Sequence, residues 1–229
     1  MYHNRRYDSD YRTIKKIIEE GVLGEIKEAE FHFDRYKKDL SPKAHKEVPG
    51  PGRGALYDLG SHLIDQAIQL FGMPEAVFAD IQIVRPTSKV DDYFELLLYY
   101  PGRRVRLRCS YLVREPLPGY VMHGINGSFI KQRTDIQEAA LQQGMSPAAE
   151  DWGIEPGQEQ GYLHTEIDGV EIKKHIASAR GNYMDFYEGL YQAIQNNAVV
   201  PVSAESALDV IRIIEASFLS NSEKRVINI

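Results

Sequence analysis

The fold is decided by the segment YFELLLYYPGRRVRLRCSYLVR, residues 93–114. Aromatic and branched residues fill both of its arms and Pro101-Gly102 lies between them, so it predicts two strands joined as a hairpin. Asn126-Gly127 and Asp168-Gly169, which are typical of tight turns, predict two further hairpins. The predicted strands are 25–36, 76–84, 93–100, 105–114, 121–125, 128–131, 162–167, 170–176 and 226–229.

Helical segments surround these strands. The first begins near Asp8 or Ser9, either of which can cap free backbone N–H groups, and Gly21 is a natural stop. A second helix is predicted from about Gly54 to Phe71. The other predictions are a short helix over 135–143, a helix with the apolar residues Tyr183, Phe186, Leu190 and Ile194, and a last helix capped by Ser203 with Leu208, Ile211, Ile214 and Phe218 facing the core.

This order of elements predicts an α+β fold. We expect an open, mostly antiparallel sheet with helices packed on one face, formed by residues 1–229 as a single domain. The residues are 43% hydrophobic and 26% charged, and a net charge of −6 gives no basic surface for nucleic acid. No apolar run approaches the ~20 residues of a membrane span, so no membrane partner is expected. The single cysteine, Cys109, suits a reducing cytoplasm.

The segment GALYDLGSHLIDQ, residues 54–66, holds the strongest candidate site. On a helix, Asp58 and His62 are four residues apart and share one face, and Asp65 adds another turn. A carboxylate beside an imidazole favours the charged imidazolium and orients the ring, which prepares a histidine for general acid–base catalysis. The glycines at 54 and 60 support this interpretation, because glycine in a helix often marks a close approach.

Two other interpretations of the same residues stay open. An ordinary polar helix face with a hydrogen-bonded histidine has the same spacing. His62, Asp58 and Asp65 are also acceptable metal ligands, as in a metal-dependent isomerase or hydrolase. No second histidine motif accompanies them, so no metal site is predicted.

Further polar residues are candidate substrate ligands. Arg5 and Arg6 precede the first helix, and two guanidinium groups can bind a phosphate or carboxylate in bidentate fashion. Arg35 and Tyr36 stand at the end of a predicted strand. A solvated terminus and a solvated strand end explain these residues more simply. We expect substrate to be bound by Arg5, Arg6, Arg35, Tyr36 and Asp65.

Three other features predict no chemistry. The glycines at 50, 52 and 54 follow a Lys-rich surface loop, residues 37–53, and lack the spacing of a dinucleotide fingerprint, so no cofactor-binding residue is predicted. Asp91-Asp92 predicts a charged turn. Cys109 lies within a strand and predicts an inert thiol.

Several segments resemble the Gfo/Idh/MocA family of NAD(P)-dependent oxidoreductases. They are NRRYDSD (4–10), GVLGEI (21–26), GALYDLGSHLID (54–65), DDYF (91–94), HG (123–124) with GSF (127–129), and PVS (201–203). The Asp-x-x-x-His segment is the most specific of them. Together they span nearly the whole chain, but they are similar only to the family's C-terminal domain, a fold of the dihydrodipicolinate-reductase-like kind.

The resemblance implies a function. Family members pair an N-terminal Rossmann domain, which binds NAD(P), with a C-terminal domain that shapes the substrate pocket and builds dimers or tetramers. They oxidise or reduce sugars, inositols and related polyols by hydride transfer. In the family motif the histidine is the acid–base group and the aspartate positions substrate, and these roles correspond to His62 and Asp58.

The chain departs from the family in one respect. It contains neither the Glu-Lys-Pro segment nor the glycine fingerprint that the family carries on its Rossmann side. We therefore expect the dinucleotide-binding domain to lie outside these residues. The chain is then a truncated gene product or the C-terminal half of a longer chain, or a separate subunit supplies the missing half. The chain alone is then catalytically incomplete and binds neither NAD nor NADP tightly. The alternative is a non-catalytic interaction module that self-associates through its sheet, using many of its 14 Tyr and 8 Phe residues.

Overall fold

A computed structural model describes residues 2–43 and 46–229. Two residues of the predicted loop 37–53, Ala44 and His45, lie outside the described residues. The described part of the chain forms a nine-stranded sheet with five α-helices, so the predicted α+β class is confirmed. The strands are β1 (Ile26–His32), β2 (Ala76–Gln82), β3 (Tyr93–Tyr100), β4 (Arg103–Ser110), β5 (Tyr120–Gly124), β6 (Gly127–Lys131), β7 (Gly161–Ile167), β8 (Val170–Ile176) and β9 (Ile227–Asn228).

The sheet is open and mostly antiparallel. Its strand order is β8-β7-β6-β5-β1-β4-β3-β2-β9, in which β1 and β4 run parallel and the other neighbours run antiparallel. Each predicted hairpin is confirmed, including the central one, whose register runs from Tyr93 opposite Ser110 to Tyr100 opposite Arg103. Alternate residues of β3 are buried, which directs one face of the sheet to the core.

The helices cover that buried face. They are α1 (Ser9–Glu19), α2 (Ser61–Phe71), α3 (Ile136–Gln142), α4 (Met184–Asn196) and α5 (Ala204–Glu223). Ser203 caps α5 as predicted, its hydroxyl oxygen accepting from the Ser206 N–H at 3.1 Å. The core cluster combines residues of α1, α2, α5 and the inner face of the sheet.

The predicted core face of α5 is wrong at one of its four positions. Leu208 is half exposed, whereas Ile214 is buried and Ile211 and Phe218 pack against the core. Val210, Ile213 and Ser217 are buried as well. Small polar residues of α5 face the sheet because they bond to strand β2: the Ser220 hydroxyl accepts from the Ala79 N–H at 3.0 Å. An apolar pattern alone does not reveal such contacts.

The predicted core face of α4 is also wrong. No residue of α4 is buried, and Leu190 and Ile194 remain exposed. Only Tyr183, directly before the helix, is buried, and its hydroxyl accepts from Arg5 at 3.2 Å.

The segment before α2 departs from a regular helix. Leu56–Gly60 forms a turn of π-helix, and α2 continues from it at Ser61. Its start is held by Asp91, which accepts the Leu56 N–H at 2.8 Å on its carboxylate. At Gly60 an added Cβ would lie 3.1 Å from the Phe94 ring, so the missing side chain lets the turn approach the sheet.

Gly54 is predicted to tolerate no side chain. Its φ is +97°, and an added Cβ would lie 1.9 Å from an Asp91 carboxylate oxygen. We expect Gly54→Ala to destabilise the chain by about 3 kcal/mol or more, because a left-handed backbone penalty adds to the loss of the Asp91 cap. Gly52→Ala is the matched control, since Gly52 has φ +72° but open space around it.

The measurement for this pair is urea unfolding followed by circular dichroism. Gly52→Ala is expected to cost only the backbone term, about 1–2 kcal/mol. Equal destabilisation by the two variants contradicts the role given to Asp91.

None of the described helices is both long and apolar enough to cross a membrane.

Candidate functional site

The main cavity of the described residues lies beside the π-helical turn and encloses about 850 Å³. Its walls come from the end of the β1 segment, the loop 37–53, the turn itself and the loop that precedes β3. Three of the predicted site residues line it: Arg35, Tyr36 and Asp58. A volume of this size suits a small-molecule ligand.

Asp58 is held by a cation from the loop. The Lys46 ammonium donates to both Asp58 carboxylate oxygens, at 2.9 and 2.7 Å. Both side chains are partly exposed to the cavity. Among the described residues Asp58 makes no hydrogen bond to His62, so the expected carboxylate–imidazole pair is replaced by a carboxylate–ammonium pair.

Arg85 fastens the cavity loop to the sheet, a role that the sequence did not reveal. Its guanidinium donates to Asp92 at 2.7 Å, to Glu47 at 3.0 Å and to the carbonyl of Asp39 at 3.0 Å. It is 2% exposed and lies over the Tyr111 ring. Nothing in the local sequence distinguishes Arg85 from a surface arginine, because its partners come from distant segments.

The Asp91-Asp92 pair is not the predicted charged turn. Asp92 is fully buried and accepts from the Val84 N–H at 2.7 Å as well as from Arg85. Asp91 caps the π-helical turn, and burial raises the pKa of its carboxyl. The reason for the error is tertiary, since these loop carboxylates satisfy donors of neighbouring segments. Cys109 is buried, which raises the pKa of its thiol and agrees with an inert side chain.

His62 does not line the cavity, but it interacts electrostatically with Asp58 at the cavity wall. Burial lowers the pKa of His62 to about 3, and the positive charges of Arg5, His3 and Arg133 add to this effect against the attraction of Asp58. The expectation of a favoured imidazolium is therefore wrong for this structure. A neutral imidazole remains, and its buried Nδ1 has no hydrogen-bond partner among the described residues.

This pKa shift makes stability depend on pH. Because the folded pKa lies below the ordinary value, the unfolded chain takes up the proton first, and the stabilisation present at neutral pH is lost as the pH falls toward 3. Between about pH 7 and about pH 5 we expect the wild-type chain to lose about 2 kcal/mol more than His62→Gln does.

Urea unfolding at the two pH values measures this difference. His175→Gln is the control, because the His175 side chain is exposed on β8. Parallel losses in wild type and His62→Gln are incompatible with the buried neutral imidazole.

The other predicted ligands lie in a polar cluster beside the first helix. Arg6 donates to both oxygens of Asp65, at 2.8 and 2.6 Å, and Asp65 is 2% exposed. Arg5 donates to both oxygens of Asp135, at 2.6 and 2.8 Å, and to Asp8 at 3.1 Å. These residues are brought together with one another and not with the cavity, and their role in substrate binding stays a prediction.

The residues proposed for a metal site are also separated. Asp58 bonds Lys46 and Asp65 bonds Arg6, so each carboxylate next to His62 has its own cationic partner. The described residues contain no group of three or more His, Cys, Asp or Glu side chains placed to hold a metal ion.

The glycine-rich loop does not fit a dinucleotide. A pyrophosphate cradle needs backbone N–H groups at a helix start with open space above a glycine. Here the carboxylate of Asp91 fills the space above Gly54 and accepts the Leu56 N–H, so an anion meets a negative charge at that point.

Comparison with known proteins shows which family this chain belongs to. The model of the oxidoreductase family C-terminal alpha/beta domain, Gfo/Idh/MocA type, matches residues 15–229. This chain belongs to the Gfo/Idh/MocA oxidoreductase family. Within that family it is 41% identical over 228 residues to scyllo-inositol 2-dehydrogenase (NADP(+)) IolW of Bacillus subtilis, covering 99% of this chain and 63% of that protein.

Other members of the Gfo/Idh/MocA family are similar. The oxidoreductase YdgJ of Escherichia coli, which is uncharacterised, is 39% identical, with 94% of this chain and 61% of that protein covered. The solved oxidoreductase yvaA of Bacillus subtilis superposes with a TM-score of 0.93 at 39% identity, covering 100% of this chain and 64% of that one. A solved oxidoreductase of Bacteroides fragilis superposes with a TM-score of 0.90 at 44% identity, covering 100% of this chain and 65% of that one. The chain thus spans less than two thirds of the length of these relatives.

Proposed function

We propose that this chain is the substrate-binding and oligomerisation domain of an NAD(P)-dependent oxidoreductase acting on a sugar, an inositol or a similar polyol. The dinucleotide-binding domain lies outside these 229 residues. The observation that carries the proposal is Asp58, four residues before His62, in the wall of a cavity of ligand size, in a chain 41% identical to a scyllo-inositol 2-dehydrogenase. The single cysteine is buried and unpaired, which supports a reducing cytoplasm as the compartment.

In the proposed reaction, residues of this chain accept the proton of the substrate hydroxyl and orient that hydroxyl. A nicotinamide cofactor held by the other domain would supply the hydride acceptor for the carbon that bears the substrate hydroxyl. We assign the acceptance of that hydroxyl proton to the neutral imidazole of His62, which interacts with Asp58 at the cavity wall. Asp58 orients the hydroxyl through its carboxylate, and Lys46 holds that carboxylate in place by donating to both of its oxygens.

The outer face of the sheet supplies the oligomerisation part of the proposal. Phe78, Ile130 and Tyr162 each leave more than a third of their surface exposed. Around them Arg106 bridges Glu30 and Glu95 across three strands. A mixed apolar and ion-paired face of this kind suits a self-complementary interface. A strictly monomeric chain in light scattering contradicts this part.

The experiment that tests the proposal joins residues 2–229 to the part of the Bacillus subtilis relative that this chain does not cover. The expected result is polyol-dependent reduction of NADP⁺, followed by absorbance, with scyllo-inositol, myo-inositol and glucose as trial substrates. The 229-residue chain alone, as control, is expected to show no turnover. A folded fusion that binds NADP⁺ but oxidises none of these three, nor myo-inositol 1-phosphate, contradicts the proposed function.

A further inference from the structure

The cavity carries an excess of positive charge. Among the described residues that line it, seven are basic and four are acidic, whereas the whole chain has a net charge of −6. The basic side chains are Arg35, Lys37, Lys38, Lys43, Lys46, Arg53 and Arg85. A concave site lined by one sign of charge focuses the field and concentrates ligands of the opposite sign.

The acidic side chains of the cavity are mostly engaged within the protein. Glu47 pairs with Arg85, and Asp58 pairs with Lys46. Asp91 accepts a backbone N–H at the start of the π-helical turn. These carboxylates therefore do not neutralise the remaining cations of the cavity.

Several cations have no carboxylate partner among the described residues. Lys37 and Lys43 make no ion pair there, and Arg53 donates only to the backbone carbonyl of Val48, at 3.0 Å. Burial lowers the pKa of Lys37, and the nearby charges of Arg35 and Lys46 add to that effect. Cations that line one cavity and have no carboxylate partner favour an anion that can bridge them.

We propose that the cavity takes an anionic polyol, a sugar or inositol that carries a phosphate or a carboxylate, and that Lys37, Lys43 and Arg53 bind its anionic group. The hydroxyl-bearing part of the same molecule then faces Asp58. This inference rests on the proposed function, because it specifies the charge of the substrate that the same cavity binds. The cavity, at about 850 Å³, holds a six-carbon ring with one such group.

The test is calorimetric titration of the 229-residue chain with myo-inositol 1-phosphate, myo-inositol, glucuronate and inorganic phosphate. We expect the phosphorylated inositol to bind about tenfold or more tightly than myo-inositol, as one or more charge-assisted hydrogen bonds provide. It is also expected to exceed inorganic phosphate, because the polyol contributes contacts. The comparison with glucuronate distinguishes a phosphate from a carboxylate as the preferred anion.

Lys37→Ala/Lys43→Ala is the decisive variant, since both side chains are exposed and their removal leaves the core intact. It is expected to remove the preference for the charged inositol. Lys174→Ala, at an exposed position on β8, is the matched control and should retain it. Equal affinity for charged and neutral inositol, a preference that survives in the double variant, or inorganic phosphate binding as tightly as the inositol phosphate overturns the proposal.

A fifth titration, with NADP⁺, separates substrate from cofactor as the source of the anion. If Lys37 and Lys43 matter for NADP⁺ and not for the polyol phosphate, the anionic-polyol proposal is wrong. The outcome is distinct from that of the fusion enzyme. If the fusion enzyme oxidises polyols but the chain shows no preference for charged ones, only the anion-site proposal is wrong. If the chain prefers charged polyols but the fusion enzyme oxidises none, only the proposed function is wrong.

Discussion

Replacing His62 by alanine in the fusion enzyme is expected to lower turnover about 10²- to 10⁴-fold, the usual contribution of a positioned acid–base group. The imidazole of His62 is largely buried, and burial keeps it neutral although it interacts with Asp58. Without it the hydroxyl proton has no acceptor as hydride leaves. Steady-state kinetics with saturating cofactor measure the effect.

The affinity for NADP⁺ is the control quantity for this variant. It should change little, because the dinucleotide is held by the other domain. His175→Ala removes an exposed imidazole from β8 and should leave both turnover and cofactor affinity as they are. Wild-type turnover in His62→Ala removes His62 from the assigned role.

Replacing Arg85 by alanine is expected to destabilise the chain by about 3–5 kcal/mol, the usual cost of removing one partner of a buried ion pair. Asp92 is fully buried and would lose its guanidinium partner. The loop also loses its attachment, because Arg85 holds the Asp39 carbonyl and Glu47. Urea unfolding followed by circular dichroism measures the free energy of unfolding.

Arg212→Ala is the matched control for Arg85→Ala. Arg212 pairs with Asp209 at 2.9 Å on an exposed part of α5, where such a pair contributes about 0–1 kcal/mol. If Arg85→Ala lowers the free energy of unfolding no more than Arg212→Ala does, Arg85 does not hold the loop to the sheet. If it is larger, limited proteolysis should also show faster cleavage within residues 37–53.

The strands and most helices were predictable because their signals are local. Alternating apolar residues and turn dipeptides such as Asp168-Gly169 depend on neighbouring positions, and the hairpins formed there. Gly54 and Gly60 correctly predicted close approaches, although not which groups approach. The apolar residues of α4 remain unburied and the α5 face was wrong at Leu208. The buried stripe of a helix depends on what lies against it, as the contact of Ser220 with Ala79 shows.

The candidate site was predictable only in part. The Asp58–His62 spacing lies within one short segment, and Arg35 and Tyr36 are neighbours just after β1. Asp58, Arg35 and Tyr36 do line the cavity. No local sequence pattern indicated a structural role for Arg85. Its partner Glu47 is 38 residues away in the chain, so the ion pair that holds the loop forms only on folding.

By itself the sequence determined the fold class, the family and the residues with the chemistry for catalysis, because each depends on residue type and short spacing. Only the tertiary structure decided how those residues are charged and paired. Asp58 lies with Lys46 rather than with His62, and Arg6 lies with Asp65, 59 residues away. The physical reason is that a side chain's charge state depends on burial and on every charge around it, and folding brings those charges together from distant positions.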